Sequence, residues 1–241
     1  MNNPRRRSPR SIAGQDKQSP AMRSSAPAAA GTVGPVSTPS ETSPRPLVAA
    51  AVVLGLVVFG AMACAATFDV ARGADAAFVA WVSRGPDSLE TLAEIVMTLG
   101  TVTGLTLVWL PASILRFQRP RPVVAVVAAT LIARWAARFA KDLFESPRPT
   151  RSAQLVVRQA VDGFGFPSAH AAVAAAAATA WAWHARPRER AVVLAIAGVV
   201  GALRWYVGVH YVVDVVGGLA IGVAAGTIAM MLSRVRVGSR G

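Results

Sequence analysis

Residues 211–232 read YVVDVVGGLAIGVAAGTIAMML, a run whose one charged side chain is Asp214, close to its start. A helix needs about 20 predominantly apolar residues to cross the hydrocarbon core of a bilayer, and this stretch supplies them. Five more apolar runs precede it: Leu47 to Thr67, Leu89 to Leu115, Val123 to Phe144, Ser168 to Trp183 and Ala191 to Trp205. The fourth and fifth are short, and the fourth is rich in alanine, which a helical bundle tolerates because small residues let helices approach closely. Composition agrees: hydrophobic residues make up 54% of the 241-residue chain, charged residues 15%, and mean hydropathy is +0.46. Soluble domains carry about 25% charged residues. The runs therefore predict an all-α, polytopic membrane bundle of six transmembrane helices over residues 47–233. Residues 234–241 form a short basic tail. Residues 1–46, rich in Ser, Pro, Ala and Arg without apolar periodicity, are expected to be disordered.

The net charge of +13 raises the question of nucleic acid. The basic residues, however, lie between apolar runs and in the N-terminal tail, and no aromatic-interleaved basic patch is present, so no nucleic-acid partner is expected. Arg5-Arg6-Arg7 is followed by no apolar stretch for about forty residues, which excludes a twin-arginine export signal. The tail, the loop with Arg116, Arg119 and Arg121, the loop with Arg186, Arg188 and Arg190, and the C-terminus fall on one side by parity. Basic loops stay cytoplasmic. Both termini are thus expected inside, with loops 67–88, 145–167 and 206–210 outside. In the first of these, Ala74 to Ser83 is expected to lie along the interface with Trp81 as anchor. The lone cysteine, Cys64, sits within the first run and can form no disulfide within the chain. No Cys/His cluster has metal-ligand spacing, so neither metal nor cofactor is expected.

Three polar clusters occur at the outward ends of these runs. Lys141 to Pro149 closes the third, Pro167-Ser168-Ala169-His170 opens the fourth, and Arg204 to Asp214 bridges the fifth and sixth. His210 and Asp214 are four residues apart, which on a helix makes them neighbours on one face. A carboxylate accepting from one imidazole nitrogen leaves the other basic, a suitable nucleophile or base. Ser168 is placed as the N-cap of the fourth helix, whose first free N–H groups would bind an anion beside His170. Lys141, Arg148 and Arg204 add three cations, and arginine can grip phosphate with two parallel hydrogen bonds. Two histidines, a carboxylate and three cations around a helix N-terminus describe phosphoryl transfer without a metal.

These residues resemble the type 2 phosphatidic acid phosphatase family, whose signature is Lys-x6-Arg-Pro, Pro-Ser-Gly-His and Ser-Arg-x5-His-x3-Asp. The chain has Lys141-x6-Arg148-Pro149, Pro167-Ser168-Ala169-His170 and Leu203-Arg204-x5-His210-x3-Asp214. Ala169 and Leu203 depart from the pattern without touching the reacting groups. The resemblance implies a bacterial membrane lipid phosphatase with its site on the outer face. It implies His210 as the nucleophile forming phosphohistidine, Asp214 orienting it, and His170 protonating the leaving oxygen. Lys141, Arg148, Ser168 and Arg204, with Ala169 at the helix start, would hold the phosphate. Expected substrates are polyprenyl (undecaprenyl or decaprenyl) diphosphate, phosphatidylglycerol phosphate or phosphatidic acid. The alternatives are a lipid phosphotransferase using the same intermediate, or an inactive lipid-binding or transport protein, against which the intact His170, His210 and Asp214 speak. The related vanadium haloperoxidases share the anion pocket but are soluble.

Outside the signature, Arg134, Arg138 and Lys141 form a stripe with spacings of four and three. Ionisable groups at such depth face a cavity or a partner. Glu94, entering the second run from the same end, is the expected partner of Arg138. The stripe is expected to line the approach to the site and steady a second phosphate or polar head.

Overall fold

The computed structural model describes residues 45–68, 72–149 and 154–234, so the expectations for residues 1–44 and for the final residues 235–241 lie outside the described residues. All regular structure among the described residues is helical. Helix α1 is Arg45–Thr67, and α2 is Arg72–Ser83. A bent pair follows, α3 (Asp87–Gly100) and α4 (Val102–Phe117). Helices α5 (Pro120–Phe144), α6 (Ala169–His184), α7 (Pro187–Tyr206) and α8 (Val212–Arg234) complete the chain. Helices α1, α5 and α8 are long and apolar enough to cross a membrane, and the bent pair counts as a fourth span if it crosses as one unit. α6, with 16 residues, is only about 24 Å long. α7 carries charges at both ends: Arg188, Glu189 and Arg190 at its start, Arg204 in its last turn.

The alanines decide the arrangement. α6 is apolar on all sides, and a helix of that kind belongs inside; Ala171 to Ala178 are all buried. It packs on α5, α7 and α8, while α1 covers the outside of α8. Contact with α8 is backbone to backbone. A Cβ at Gly218 would lie 2.4 Å from the carbonyl oxygen of Ser168, and one at Gly222 would lie 2.3 Å from that of Ala172. Both distances are too short for any side chain, so these glycines draw the start of α6 against the helix that carries Asp214.

The second apolar run is not one straight helix: α3 and α4 meet at 76°. Thr101 adopts an extended conformation there, and its hydroxyl caps α4 by accepting the N–H of Gly104 at 3.0 Å. The break frees carbonyls that apolar surroundings cannot solvate. Trp109 Nε1 donates to the Leu99 carbonyl at 2.9 Å and satisfies one of them. The bend also brings Gly100 onto the start of α6, where a Cβ would lie 2.6 Å from the His170 carbonyl oxygen. Hydropathy alone predicts a continuous span because the apolar run does not stop at Thr101.

α2 matches the expected interfacial helix in place and length. Trp81 is 72% exposed, and Phe78 meets Trp205 edge to face at 5.3 Å. Its buried Asp75 reaches the start of α8.

Candidate active site

Each cluster lies where a helix begins or ends. α5 stops at Phe144 because Glu145 turns left-handed (φ 45°), its N–H closing on the Lys141 carbonyl at 3.0 Å, and Pro147 and Pro149 prevent any resumption. The chain then returns along residues 154–167 to the start of α6. Phe166, fully buried, packs against Phe59 and Phe144 with ring centroids 5.4 and 5.5 Å away, which seats Pro167 and Ser168. The Ser168 N–H donates to the Asp214 carbonyl at 2.9 Å, so the second and third clusters are joined through backbone. Ser168 does occupy the N-cap position of α6, but its hydroxyl makes no capping bond and is buried without a partner.

At the end of α7 the chain turns through Gly208, whose φ of +73° suits glycine, and a Cβ there would collide with the Val156 carbonyl. This turn places His210 just ahead of α8. His210 Nδ1 lies 3.1 Å from Asp214 Oδ2, an oxygen that also accepts the Tyr211 N–H at 2.9 Å. Both side chains are almost wholly buried. With the carboxylate accepting from Nδ1–H, Nε2 carries the lone pair. Burial, then the fields of Arg204, Arg148 and Lys141, hold the His210 pKa well below the ordinary histidine value of 6.5, so its ring is neutral at neutral pH. Arg148 Nη1 stands 3.3 Å from that Nε2.

All three expected cations converge here. Lys141 Nζ donates to the carbonyls of Phe164 and Gly165 at 2.5 and 2.9 Å. Arg148 donates to the carbonyls of Gly163 and Val209, each at 3.0 Å. Arg204 is 1% exposed and donates from Nη1 to Gln159 Oε1 at 2.7 Å and to Met97 Sδ at 3.3 Å. His170, in the first turn of α6, lies within electrostatic reach of Arg204, Arg134, Arg148 and Lys141. Among the buried polar atoms of the described residues that have no partner, three belong to the site: Ser168 Oγ, Arg204 Nε and Asp214 Oδ1. Buried polar groups are ordinarily hydrogen-bonded; the Ser168 hydroxyl and the Arg204 Nε–H are unused donors, which suit an oxyanion, whereas Asp214 Oδ1 is an acceptor. Gly165 closes the floor of the site, where a Cβ would come within 2.9 Å of Asp214 Oδ2.

The departures from the signature are accommodated. Ala169 packs against the main core as the first residue of α6, and Leu203 packs with the cluster of Met97, Tyr206 and Val209. Arg134, Arg138 and Glu94 are all exposed. Among the described residues no ion pair joins Arg138 to Glu94. Of the stripe, Arg134 and Lys141 lie within electrostatic reach of His170. Sequence reading missed Gln159, Met97 and Asp75, because neither spacing nor periodicity marks a residue that serves only as another residue's partner.

The geometry agrees with comparisons to known proteins. The model of the PAP2 superfamily matches residues 96–237. The structure is similar to that of a transmembrane PAP2-type phosphatidylglycerolphosphate phosphatase from Bacillus subtilis, at 20% identity and a TM-score of 0.65, covering 75% of this chain and 94% of that one. It is also similar to LpxE of Aquifex aeolicus, at 24% identity and a TM-score of 0.57, covering 64% and 93%. No curated protein sequence matches the chain. The three motifs lie within the matched residues, the site they form is assembled, and the helices are built for a bilayer: the chain belongs to the PAP2 superfamily and is a membrane phosphatase of that family.

Proposed function

We propose that this protein hydrolyses the phosphate ester or diphosphate of a membrane lipid through a phosphohistidine on His210, at the outer face of a bacterial plasma membrane. The observation that carries this reading is the buried Asp214–His210 pair, whose Nε2 meets Arg148, with Lys141 and Arg204 close by and none of the three cations in an ion pair with a carboxylate among the described residues. His210 Nε2 attacks the terminal phosphorus while its bond to the leaving oxygen breaks (the lipid oxygen of an ester, the bridging oxygen of a diphosphate), and His170 gives that oxygen a proton. His170 then takes a proton from water, the water oxygen bonds to phosphorus, and the P–N bond breaks to free phosphate and the His210 lone pair. Arg148, now 3.3 Å from Nε2, turns to the phosphate oxygens when substrate arrives. Lys141, Arg204, the Ser168 hydroxyl and the N–H groups at Ala169 and His170 complete the cradle.

α6 and α7 cross with the four longer units as the fourth and fifth spans of a six-span bundle, and the arginine-rich loops keep both termini inside. The phosphatidylglycerolphosphate phosphatase among the similar structures supports a lipid phosphate as substrate class. Polyprenyl diphosphate, phosphatidylglycerol phosphate and phosphatidic acid are the lipids to test. In this arrangement Arg134 and Arg138 lie along the lipid-side approach and steady the second phosphate or polar head of the substrate. The deciding experiment measures phosphate release by the purified protein across these three lipids with EDTA present, together with trapping of labelled phosphoenzyme. Release from at least one lipid, undiminished by EDTA, is expected. No release from any, or label appearing on a second lipid instead of as free phosphate, overturns hydrolysis.

A further inference from the structure

The three cations of the site are all oriented from one short stretch of the loop before α6. Residues 159–165 supply Gln159 Oε1 to Arg204, the Asp162 and Gly163 carbonyls to Arg148, and the Phe164 and Gly165 carbonyls to Lys141. Gly163, with φ +74°, makes the turn that presents consecutive carbonyls to neighbouring side chains. All of these acceptors are neutral. A neutral acceptor orients a cation without cancelling its charge, whereas a carboxylate would hold it in a closed ion pair and compete with substrate phosphate.

Gln159 is the only one of these acceptors that is a side chain. Its position is secured by the adjacent Arg158, whose backbone N–H donates to the Val207 carbonyl at 3.1 Å. The Arg158 guanidinium donates to the carbonyls of Ser83 and Gly85 and to the Asp87 carboxylate, and it stacks over Tyr206 at 4.4 Å. Gln159 thus reaches Arg204 from a pinned backbone, and Arg204 Nε remains without a partner beside it. Gln159 also lines a cavity of about 150 Å³ with Arg148, Val161 and Val209.

Resting on the phosphatase reading above, we infer that Gln159 is a positioning residue for phosphoryl transfer, a neutral acceptor that fixes the buried Arg204 guanidinium so that its full charge meets the substrate phosphate. The test compares Gln159→Leu and Gln159→Glu with wild-type protein, reading lipid-phosphate turnover, vanadate inhibition and thermal midpoint. Wild-type turnover and vanadate inhibition come first, since their absence would sink the phosphatase reading and leave Gln159 aside. Gln159→Leu is expected to lower kcat/KM and weaken vanadate inhibition by about tenfold or more, the scale of one hydrogen bond to a charged group. Gln159→Glu keeps an acceptor but adds a competing charge. It should hold the thermal midpoint while weakening vanadate inhibition at neutral pH, with recovery toward wild type as the new carboxyl is protonated in acid. Kinetics within twofold of wild type in Gln159→Leu, a Gln159→Glu defect independent of pH, or losses in both variants that only follow a lowered midpoint would each overturn the inference.

Discussion

Asp75 and Val212 are 137 residues apart in the chain, and the carboxylate of the first accepts the backbone N–H of the second at 2.5 Å. Its other oxygen accepts the N–H of Val213 at 3.3 Å. Helix α2 thereby caps the helix that carries Asp214. Helix starts leave N–H groups without intrahelical partners, and α8 has this one satisfied by a residue from another element. Replacing Asp75 with Ala should cost about 0.5–2 kcal/mol of stability, the range for a lost cap, and should lower turnover through a displaced Asp214. Asp75→Asn retains an acceptor and should lose much less. Calorimetric midpoints and turnover of the two variants check this, and equal behaviour of Ala and Asn would refute the capping role.

The two histidines should fail differently. His210→Ala removes the attacking nitrogen, so no phosphoenzyme should be trapped and turnover should drop on the order of 10⁴-fold or more. His170→Ala removes leaving-group protonation, a loss of roughly 10²–10⁴-fold on natural lipids. A substrate with a good leaving group should still phosphorylate that variant slowly. Labelled protein recovered from the His210 variant would contradict the assignment.

Orientation in the membrane can be read with cysteine probes. In a Cys64→Ala background, Asp162→Cys should react with an impermeant thiol reagent added outside intact cells, and Arg188→Cys should react only after the membrane is opened. Both native residues are exposed and lie at opposite ends of the bundle, in the loop before α6 and the first turn of α7. The reverse labelling would invert the topology.

The arginine stripe separates two classes of substrate. If Arg134 and Arg138 steady a second phosphate, Arg134→Leu or Arg138→Leu should weaken turnover of a diphosphate lipid by about tenfold and leave a monophosphate lipid nearly unaffected. Equal losses on both would assign the stripe a structural role, and no loss on either would leave the two side chains as interface anchors.

His210 also links stability to pH. Its folded pKa is depressed by burial and by neighbouring cations below the ordinary 6.5. Between that value and the depressed one, the unfolded chain binds a proton that the folded protein refuses. Stability therefore falls as pH drops through and below the ordinary histidine range, and the contribution vanishes above it. The thermal midpoint of the wild type should decline from about pH 7.5 to about pH 5.5 more steeply than that of His210→Gln. Parallel slopes would show that other groups dominate.

The helical membrane class and the residues of the site were legible in the chain itself. Apolar runs of spanning length have one solution in lipid, since backbone groups there must be satisfied within the helix. Lys141, Arg148, Ser168, His170, Arg204, His210 and Asp214 declare themselves because their chemistry requires those residue types and their spacing survives in one dimension. The bend at Thr101 did not show, because capping by a threonine and the Trp109–Leu99 bond add no break to the apolar run. Glu94 looked like a partner for Arg138 by depth along the helix, yet depth does not fix the direction in which either side chain faces, and both are exposed. Which neutral groups orient the cations, and which carboxylate caps α8, was decided only when glycine contacts brought α6 against α8 and the 154–167 loop closed over the ends of the helices. Gln159 meets Arg204 across 45 positions of chain, and Asp75 meets Val212 and Val213 across 137 and 138; no local pattern encodes such contacts, which exist only once the bundle has packed.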